Sequence, residues 1–122
     1  MTSKYNDILT PCEFYMRCYD NAPEGVLIKT TGYKFTFCNR EIGVHIKESV
    51  LGDEWTATDI ATGLRIVPRA FKRSGNLIKH LFNREDWYKE RFEALGEKLK
   101  EHETTFNRLM EGQSGAKGGE AV

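Results

Sequence analysis

The stretch that decides the fold is VLIKTTGYKFTFC, residues 26–38. Apolar and polar side chains alternate in its second half, so Tyr33, Phe35 and Phe37 share one face of a strand. The pair Thr31-Gly32 separates this half from the β-rich first half, and this spacing predicts a hairpin of two antiparallel strands. Three alternating aromatic rings are typical of a core face. Beside a lysine they also resemble a stacking platform for single-stranded nucleic acid, which stays the alternative.

Three further β-rich runs follow, at residues 43–46, 54–59 and 64–67. Gly-containing turns separate the last two runs from their neighbours, and such turns commonly join antiparallel strands. The sequence therefore predicts an antiparallel sheet of four or five strands with one face in solvent.

Helical patterns flank this sheet. Before it, residues 10–13 read Thr-Pro-Cys-Glu, the order of a capping box with proline at the first helical position, which predicts a helix from about Pro11 to Asn21. After it, Ser74 and Asn83 are favourable N-caps for a short helix and for a long last helix. The predicted fold class is thus α+β, with short flanking helices and a long C-terminal helix.

The segment 84–111 has the most regular helical pattern of the chain. Its seam residues recur at alternating spacings of four and three, which is a heptad repeat. They are Tyr88, Phe92, Leu95, Leu99, His102, Phe106 and Leu109. A helix of about 28 residues is about 42 Å long, so half of it would extend beyond a small domain, and we expect a coiled-coil homodimer. The alternative is that the seam packs across the sheet of its own chain.

Length and composition set the organisation of the chain. Its 122 residues suffice for one domain. We expect an α+β globular domain at residues 1–83, the heptad helix at 84–111 and a disordered Gly-rich tail at 112–122. The 18 basic and 18 acidic residues balance, which excludes a uniformly basic nucleic-acid coat protein and a strongly acidic DNA mimic.

The charge is balanced in total but uneven along the chain. Residues 1–64 hold nine acids and six bases and residues 85–111 hold eight acids and five bases, whereas residues 65–84 hold six bases and no acid. The six are Arg65, Arg69, Lys72, Arg73, Lys79 and Arg84. They could contact the phosphates of a nucleic acid or an acidic protein partner. They could equally face the acids of the long helix or lie in solvent.

No motif indicates catalysis, a metal or another cofactor. Cys12 and Cys18 are six residues apart, which on a helix turns them to different sides, and no Cys-x-x-Cys pair is present. Cys38 and His45 are a conceivable nucleophile and base, but nothing in the sequence brings them together. The acidic residues within 53–59 flank a turn, where we expect them to be solvated. We therefore expect a protein that is not an enzyme and that carries no cofactor.

The expected compartment is the cytoplasm. The odd number of cysteines favours reduced thiols. The first ten residues lack the pattern of a secretory signal, and no apolar run reaches the roughly 18 residues of a membrane span. We accordingly expect no contact with membranes.

The run WTATDIATGLRI, residues 55–66, together with the short basic helix after it, resembles a unit found in small uncharacterised proteins of bacteriophages and other mobile elements. It covers about a quarter of the chain. The resemblance implies a compact accessory protein that acts by binding, in some cases as an inhibitor of a host defence system, and it supplies no catalytic residue. The expected function is therefore stoichiometric binding to a protein target. Nucleic-acid binding through residues 65–84 is the alternative.

Overall fold

The computed structural model describes residues 8–18, 23, 25–47, 50 and 52–120, with side chains described as far as Gly112. The strands are β1 (Thr10–Cys18), β2 (Val26–Phe37), β3 (Arg40–Lys47), β4 (Glu54–Asp59) and β5 (Leu64–Arg65). The helices are α1 (Ser74–Asn83), α2 (Glu85–Ala94) and α3 (Gly96–Glu120). The strands form one antiparallel sheet in the order β1-β2-β3-β4-β5. The predicted α+β fold, with an antiparallel sheet and a long last helix, is confirmed.

The first element is a strand, so the helix predicted from Pro11 is wrong. β1 pairs with β2 along its whole length, and this pairing outweighs the local preference of a capping-box sequence. Proline is tolerated because β1 is an edge strand. The N–H of Arg17 points away from β2, to the carbonyl oxygen of Gly63. Pro11 lies an even number of residues earlier, so the N–H that it lacks would also have pointed away from β2.

β2 is one strand of 12 residues, so the hairpin predicted at Thr31-Gly32 is also wrong. The turn lies later, at Cys38-Asn39, where both residues have positive φ angles of 52° and 63°. Two such residues between paired strands form the favoured hairpin turn. β2 pairs with β1 over residues 26–34 and with β3 over residues 33–37, so the change of partners takes place just after Gly32. A Cβ atom at Gly32 would overlap the carbonyl oxygen of Val44, so this close approach requires glycine.

This change of partners folds β1 and the first half of β2 over one face of β3 and β4, here called the inner face. Phe14 of β1 packs directly on Gly43, and its ring lies edge-on to His45 with 5.3 Å between ring centroids. The hydrogen bond from Arg17 to Gly63, 2.8 Å long, ties β1 to the turn between β4 and β5. The sheet is therefore strongly curled.

The main core lies on the other side of the sheet, here called the outer face, beneath the helices. Phe35 and Phe37 are 4% and 1% exposed, which confirms the predicted core face, whereas Tyr33 on the same face is 41% exposed. The buried core consists of Phe35, Phe37, Ile42, Val44, Ala57, Val67, Phe71, Leu77, Ile78, Leu81 and Tyr88. Because two of the three alternating rings are covered, they are not available as a stacking platform.

The helix starts differ by one residue from the predicted caps. Ser74 is the first residue of α1 and Arg73 is its N-cap. The N-cap of α2 is Arg84 rather than Asn83. Two acids, at residues 85 and 86, lie in the first turn of α2 as predicted, where the positive end of the helix dipole stabilises them.

The predicted long helix is divided at Leu95, whose φ and ψ angles are −95° and 12°. Its main chain still receives a hydrogen bond of 2.7 Å from Leu99, so the division is a kink between α2 and α3. A Cβ atom at Gly96 would meet nothing within 4 Å, so this glycine does not serve a close approach. The backbone of α3 continues to Glu120, through most of the segment 112–122. Disorder of that segment stays a prediction.

Candidate functional site

The six bases predicted as a binding patch are all exposed and come from several elements. Arg65 lies on β5, Lys79 on α1, and the others in the connecting segments and helix caps. The guanidinium of Arg69 lies 4.2 Å above the centroid of the Phe71 ring, and the ammonium of Lys72 lies 3.7 Å from a carboxylate oxygen of Glu54. Their role in binding stays a prediction.

The seam predicted for oligomerisation is partly used within the chain. The side chain of Tyr88 is 2% exposed, its ring lies 5.7 Å from that of Phe37, and its hydroxyl lies 3.0 Å from Nε2 of His80. Burial raises the pKa of Tyr88. Tyr88 therefore belongs to the core of its own domain. This agrees with the alternative prediction that the seam packs across the sheet of its own chain.

Further along the seam, α3 covers the place where the sheet nearly closes. Phe106 is 9% exposed and packs on Gly63 in the turn between β4 and β5. The guanidinium of Arg17 lies 3.3 Å from Nδ1 of His102. The half-buried seam residues are Phe92, Leu95, Leu99, His102 and Leu109. A homodimer that uses them stays a prediction.

Asp59 is 1% exposed, so the expectation that it is solvated is wrong. Its two carboxylate oxygens each accept a hydrogen bond of 2.8 Å from Arg40, and one accepts a hydrogen bond of 2.7 Å from the hydroxyl of Thr62. Arg40 also reaches Glu103 on α3 at 3.2 Å. The hydrogen bonds to Asp59 raise the pKa of Arg40. The arrangement joins the sheet to α3 through a fully paired buried charge.

The cysteines do not form a catalytic or metal site with the residues described. Cys38 donates a hydrogen bond from Sγ to the carbonyl oxygen of Glu85 on α2, 3.7 Å away, whereas His45 lies on the inner face of the sheet. Burial raises the pKa of the Cys38 thiol. Cys12 and Cys18 share a face of β1 but are about 20 Å apart along it. Within the described ranges, no group of three or more potential metal ligands comes together.

A cavity of about 580 Å³ opens between the two halves of the curled sheet, and we call it the basic cleft. Met16 and Ile28 form one wall, and His45, Thr56 and Thr58 form the floor opposite. The charged lining residues are Arg17, Lys29, Lys47 and Arg65. No acidic residue is among the described residues that line the cleft, although the chain as a whole is neutral.

The floor of the basic cleft contains two polar atoms that are buried without a hydrogen-bond partner in the described part of the chain, Nδ1 of His45 and Oγ1 of Thr56. The other ring nitrogen of His45 lies 2.9 Å from Oγ1 of Thr58. Each unpaired atom costs about 1–3 kcal/mol of stability. Burial lowers the pKa of His45, and the main chain of Ile46 acts in the opposite direction. The imidazole is therefore neutral at pH 7.

Sequence reasoning considered His45 only as a conceivable base for Cys38 and missed Thr56 and Thr58. His45, Thr56 and Thr58 alternate with apolar residues, and polar side chains in such a pattern usually lie in solvent. The bend at Gly32 covers this face instead. The glycine in the middle of a β-rich run was the available signal, because glycine inside a strand often marks a close approach of two backbones.

A second cavity, of about 930 Å³, is lined by residues of β1 to β4 and of the segment before β4, and we call it the acidic groove. Tyr33 and Ile46, 41% and 44% exposed, and the half-buried Trp55 supply its apolar surface. Ile46 lies directly opposite Trp55 in the sheet and also borders the basic cleft. The charged residues of its lining are Glu13 and Asp53, with no base among the described lining residues.

Comparison of the chain with protein-family models, with curated proteins and with solved structures found no match. Across the described part of the chain, no helix is both long enough and apolar enough to cross a membrane. The two cavities and the charges around them are therefore the observations from which a function can be inferred.

Proposed function

We propose that this protein is a non-catalytic binding protein that holds a protein partner in the acidic groove. The observation that carries this proposal is the side-by-side exposure of Tyr33, Ile46 and Trp55 in a concave surface. Tyrosine and tryptophan in a cavity are the residues that most often dominate the binding energy of protein interfaces. On an isolated chain, these side chains leave apolar area in water that a partner would cover.

The charges of the groove indicate the chemistry of the partner. Glu13 is paired with Lys29 at 3.5 Å between carboxylate oxygen and ammonium nitrogen, both side chains being more than half exposed, whereas Asp53 forms no ion pair with another described residue. A partner segment that carries an apolar side chain next to a lysine or arginine would complement this surface. We therefore infer that the partner presents a basic, partly apolar segment.

The biological setting is a separate part of the proposal. The resemblance of residues 55–66 to accessory proteins of bacteriophages supports an inhibitor of a host defence system, acting in the cytoplasm. Such an inhibitor needs only to occupy its target and requires no catalysis. A homodimer through the half-buried part of the seam would present two grooves to the target.

The test is site-specific photo-crosslinking in cells that carry the protein. A benzophenone amino acid at position 33 should crosslink to one protein partner, and the same group at position 50 should not, because Val50 is fully exposed but does not line the groove. The variant Tyr33→Asp should lose the partner on affinity capture, whereas the matched control Val50→Asp should retain it. Equal retention by both variants would refute the proposal.

A second candidate function, nucleic-acid binding, rests on the six exposed bases of residues 65–84. Binding through phosphates requires the affinity to fall with added salt, with a slope of about −0.9 for each phosphate contacted. Reversing the charge of Arg69, Lys72 and Arg73 should then abolish binding to DNA or RNA. Absence of binding at low salt by the unaltered protein would eliminate this candidate.

A further inference from the structure

The basic cleft and the acidic groove differ in charge, in depth and in the polarity of their surfaces. Binding in the basic cleft does not depend on the proposed protein partner. Its floor contains His45 and Thr56, which are 1% and 4% exposed and carry the two polar atoms that have no hydrogen-bond partner in the described part of the chain. A hydroxyl group both donates and accepts hydrogen bonds, so it can pair with His45 Nδ1 in either tautomer and with the hydroxyl of Thr56.

The cations of the cleft are not equivalent. The ammonium of Lys29 is paired with Glu13, and the guanidinium of Arg17 contacts His102. Lys47 and Arg65 lie on the inner face with the floor residues, because Lys47 is two residues beyond His45 and Arg65 is the register partner of Thr58. These two side chains form no ion pair with the described residues.

One acidic residue, Glu54, lies close enough to Lys47 to compete for its charge. Glu54 lies opposite Lys47 on β4, and its carboxylate lies 3.7 Å from the ammonium of Lys72. It is not among the residues that line the cleft.

Lys47 and Arg65 lie on opposite sides of the floor, because Thr58 pairs with Gly43 on β3 and with Arg65 on β5, and Lys47 is four residues beyond Gly43. Their long side chains would have to converge on one anion from two sides, and two cations together suit a dianion better than a single carboxylate. A phosphate monoester carries a charge of about −1.5 to −2 at pH 7.

The remaining wall is apolar. Met16 and Ile28 are register partners on β1 and β2, and Ile28 is 45% exposed. A flat apolar or aromatic body can pack on this pair while its polar groups reach the floor and the mouth. The volume of about 580 Å³ exceeds that of a simple anion and falls in the range of small-molecule sites.

We propose that the basic cleft is a binding site for a small phosphate monoester with a hydroxylated and partly apolar body, the chemistry of a nucleoside monophosphate. The phosphate contacts Lys47 and Arg65, the apolar body packs on Met16 and Ile28, and a hydroxyl group pairs with Thr56 and His45. Both floor residues border the cleft, but their unpaired atoms are buried, so pairing with the ligand requires the side chains of His45 and Thr56 to rotate toward it.

The test uses calorimetric titration of the full chain with adenosine 5′-monophosphate. We expect a single saturable site, weaker binding of adenosine, which lacks the charge, and weaker binding of 2′,3′-dideoxyadenosine 5′-monophosphate, which lacks the ribose hydroxyls. Lys47→Glu and Arg65→Glu should each lower the affinity by about tenfold or more, as expected for the loss of a charge-assisted contact. The control Lys89→Glu reverses an exposed lysine on α2 and should leave the affinity unchanged.

The variant Thr56→Val separates ligand binding from folding. It keeps the shape of the side chain and removes a hydroxyl that has no partner in the described structure, so the protein should fold normally and bind adenosine 5′-monophosphate more weakly. No binding by the unaltered protein would overturn the proposal. Equal binding of adenosine, or equal loss of affinity in Lys89→Glu, would overturn it as well.

Discussion

The two faces of the same sheet differ in whether their buried polar groups have hydrogen-bond partners. On the outer face, Phe35, Phe37 and Val44 are covered by helices, and the buried carboxylate of Asp59 has all its partners. On the inner face, His45 and Thr56 are equally well buried, but each keeps one polar atom without a hydrogen-bond partner among the described residues. Burial alone therefore does not show that a residue belongs to the stabilising core. The outer face supplies stability, and the inner face gives up part of it to keep polar groups beside a cleft.

The largest expected effect is on the outer face. Phe37→Ala removes a ring that packs against Phe35, Phe82 and Tyr88 and should lower the free energy of unfolding by about 3–5 kcal/mol. Chemical denaturation measures this, with Tyr33→Ala as the control from the exposed end of the same face. A loss below about 1 kcal/mol for Phe37→Ala would contradict the assignment of the core.

Asp59→Ala tests how much the ion pair between Asp59 and Arg40 contributes to stability. It leaves the half-buried Arg40 with Glu103 as its one remaining ion-pair partner among the described residues, so we expect a loss of about 3 kcal/mol. The exposed pair Lys34–Glu41, 3.4 Å apart, is the matched control, and Glu41→Ala should cost less than about 1 kcal/mol. Similar losses for the two variants in denaturation experiments would show that the buried pair contributes no more to stability than an exposed one.

Gly43→Ala tests how tightly the inner face is closed at Phe14. The added methyl group would lie 2.5 to 2.8 Å from three atoms of the Phe14 ring, so the strain should cost about 1–3 kcal/mol. Gly96→Ala is the control, because its methyl group meets nothing within 4 Å. The double variant Phe14→Leu/Gly43→Ala should regain stability relative to Gly43→Ala alone. Without that recovery, the contact between the two halves of the sheet is not as described.

The pH dependence of stability tests one histidine on each side of the sheet. Burial lowers the pKa of His45 on the inner face and, together with the charges of Arg84 and Arg69, that of His80 among the helices. Because the unfolded chain takes up protons near the ordinary pKa of 6.5 while the folded chain does not, stability should be highest above that pH. It should decrease as the pH falls below it. Denaturation curves of His45→Gln and His80→Gln should each show a weaker decrease, and an unchanged decrease in both would contradict this explanation.

The smallest effect is expected from Thr56→Val. The hydroxyl that it removes has no hydrogen-bond partner within the described residues, so the free energy of unfolding should rise by about 1 kcal/mol, the low end of the cost of a buried unpaired polar atom. Thermal unfolding of the ligand-free protein measures it. A clear loss of stability would mean that the hydroxyl is satisfied, and the contrast between the two faces would then disappear.

The sequence predicted those parts of the fold that depend on local periodicity. The bounds 54–59 of β4 and the shared face of Tyr33, Phe35 and Phe37 follow from alternation, and the structure has both. The prediction of a first helix was wrong because a capping-box sequence carries no information about the strand that pairs with β1. The hairpin was placed at Thr31-Gly32 because glycine favours turns, whereas there it permits a close approach of two strands.

The candidate site was less predictable than the fold. Exposed bases can be counted in a sequence, but the basic cleft depends on which residues the bend at Gly32 brings together. His45, Thr56 and Met16 come from three strands, and each looks ordinary in its own segment. Their proximity is a tertiary property that periodicity does not encode.

The contacts of Arg17 have a consequence for the order of folding. Its main chain bonds to Gly63, and its guanidinium contacts His102, which is 85 residues away in sequence. On the ribosome, β1 emerges long before α3, which carries the residue that secures its end. Contacts between distant residues form late because the loop that they close is long. We therefore expect the wall of the basic cleft that β1 supplies to be among the last parts of the molecule to take its final position.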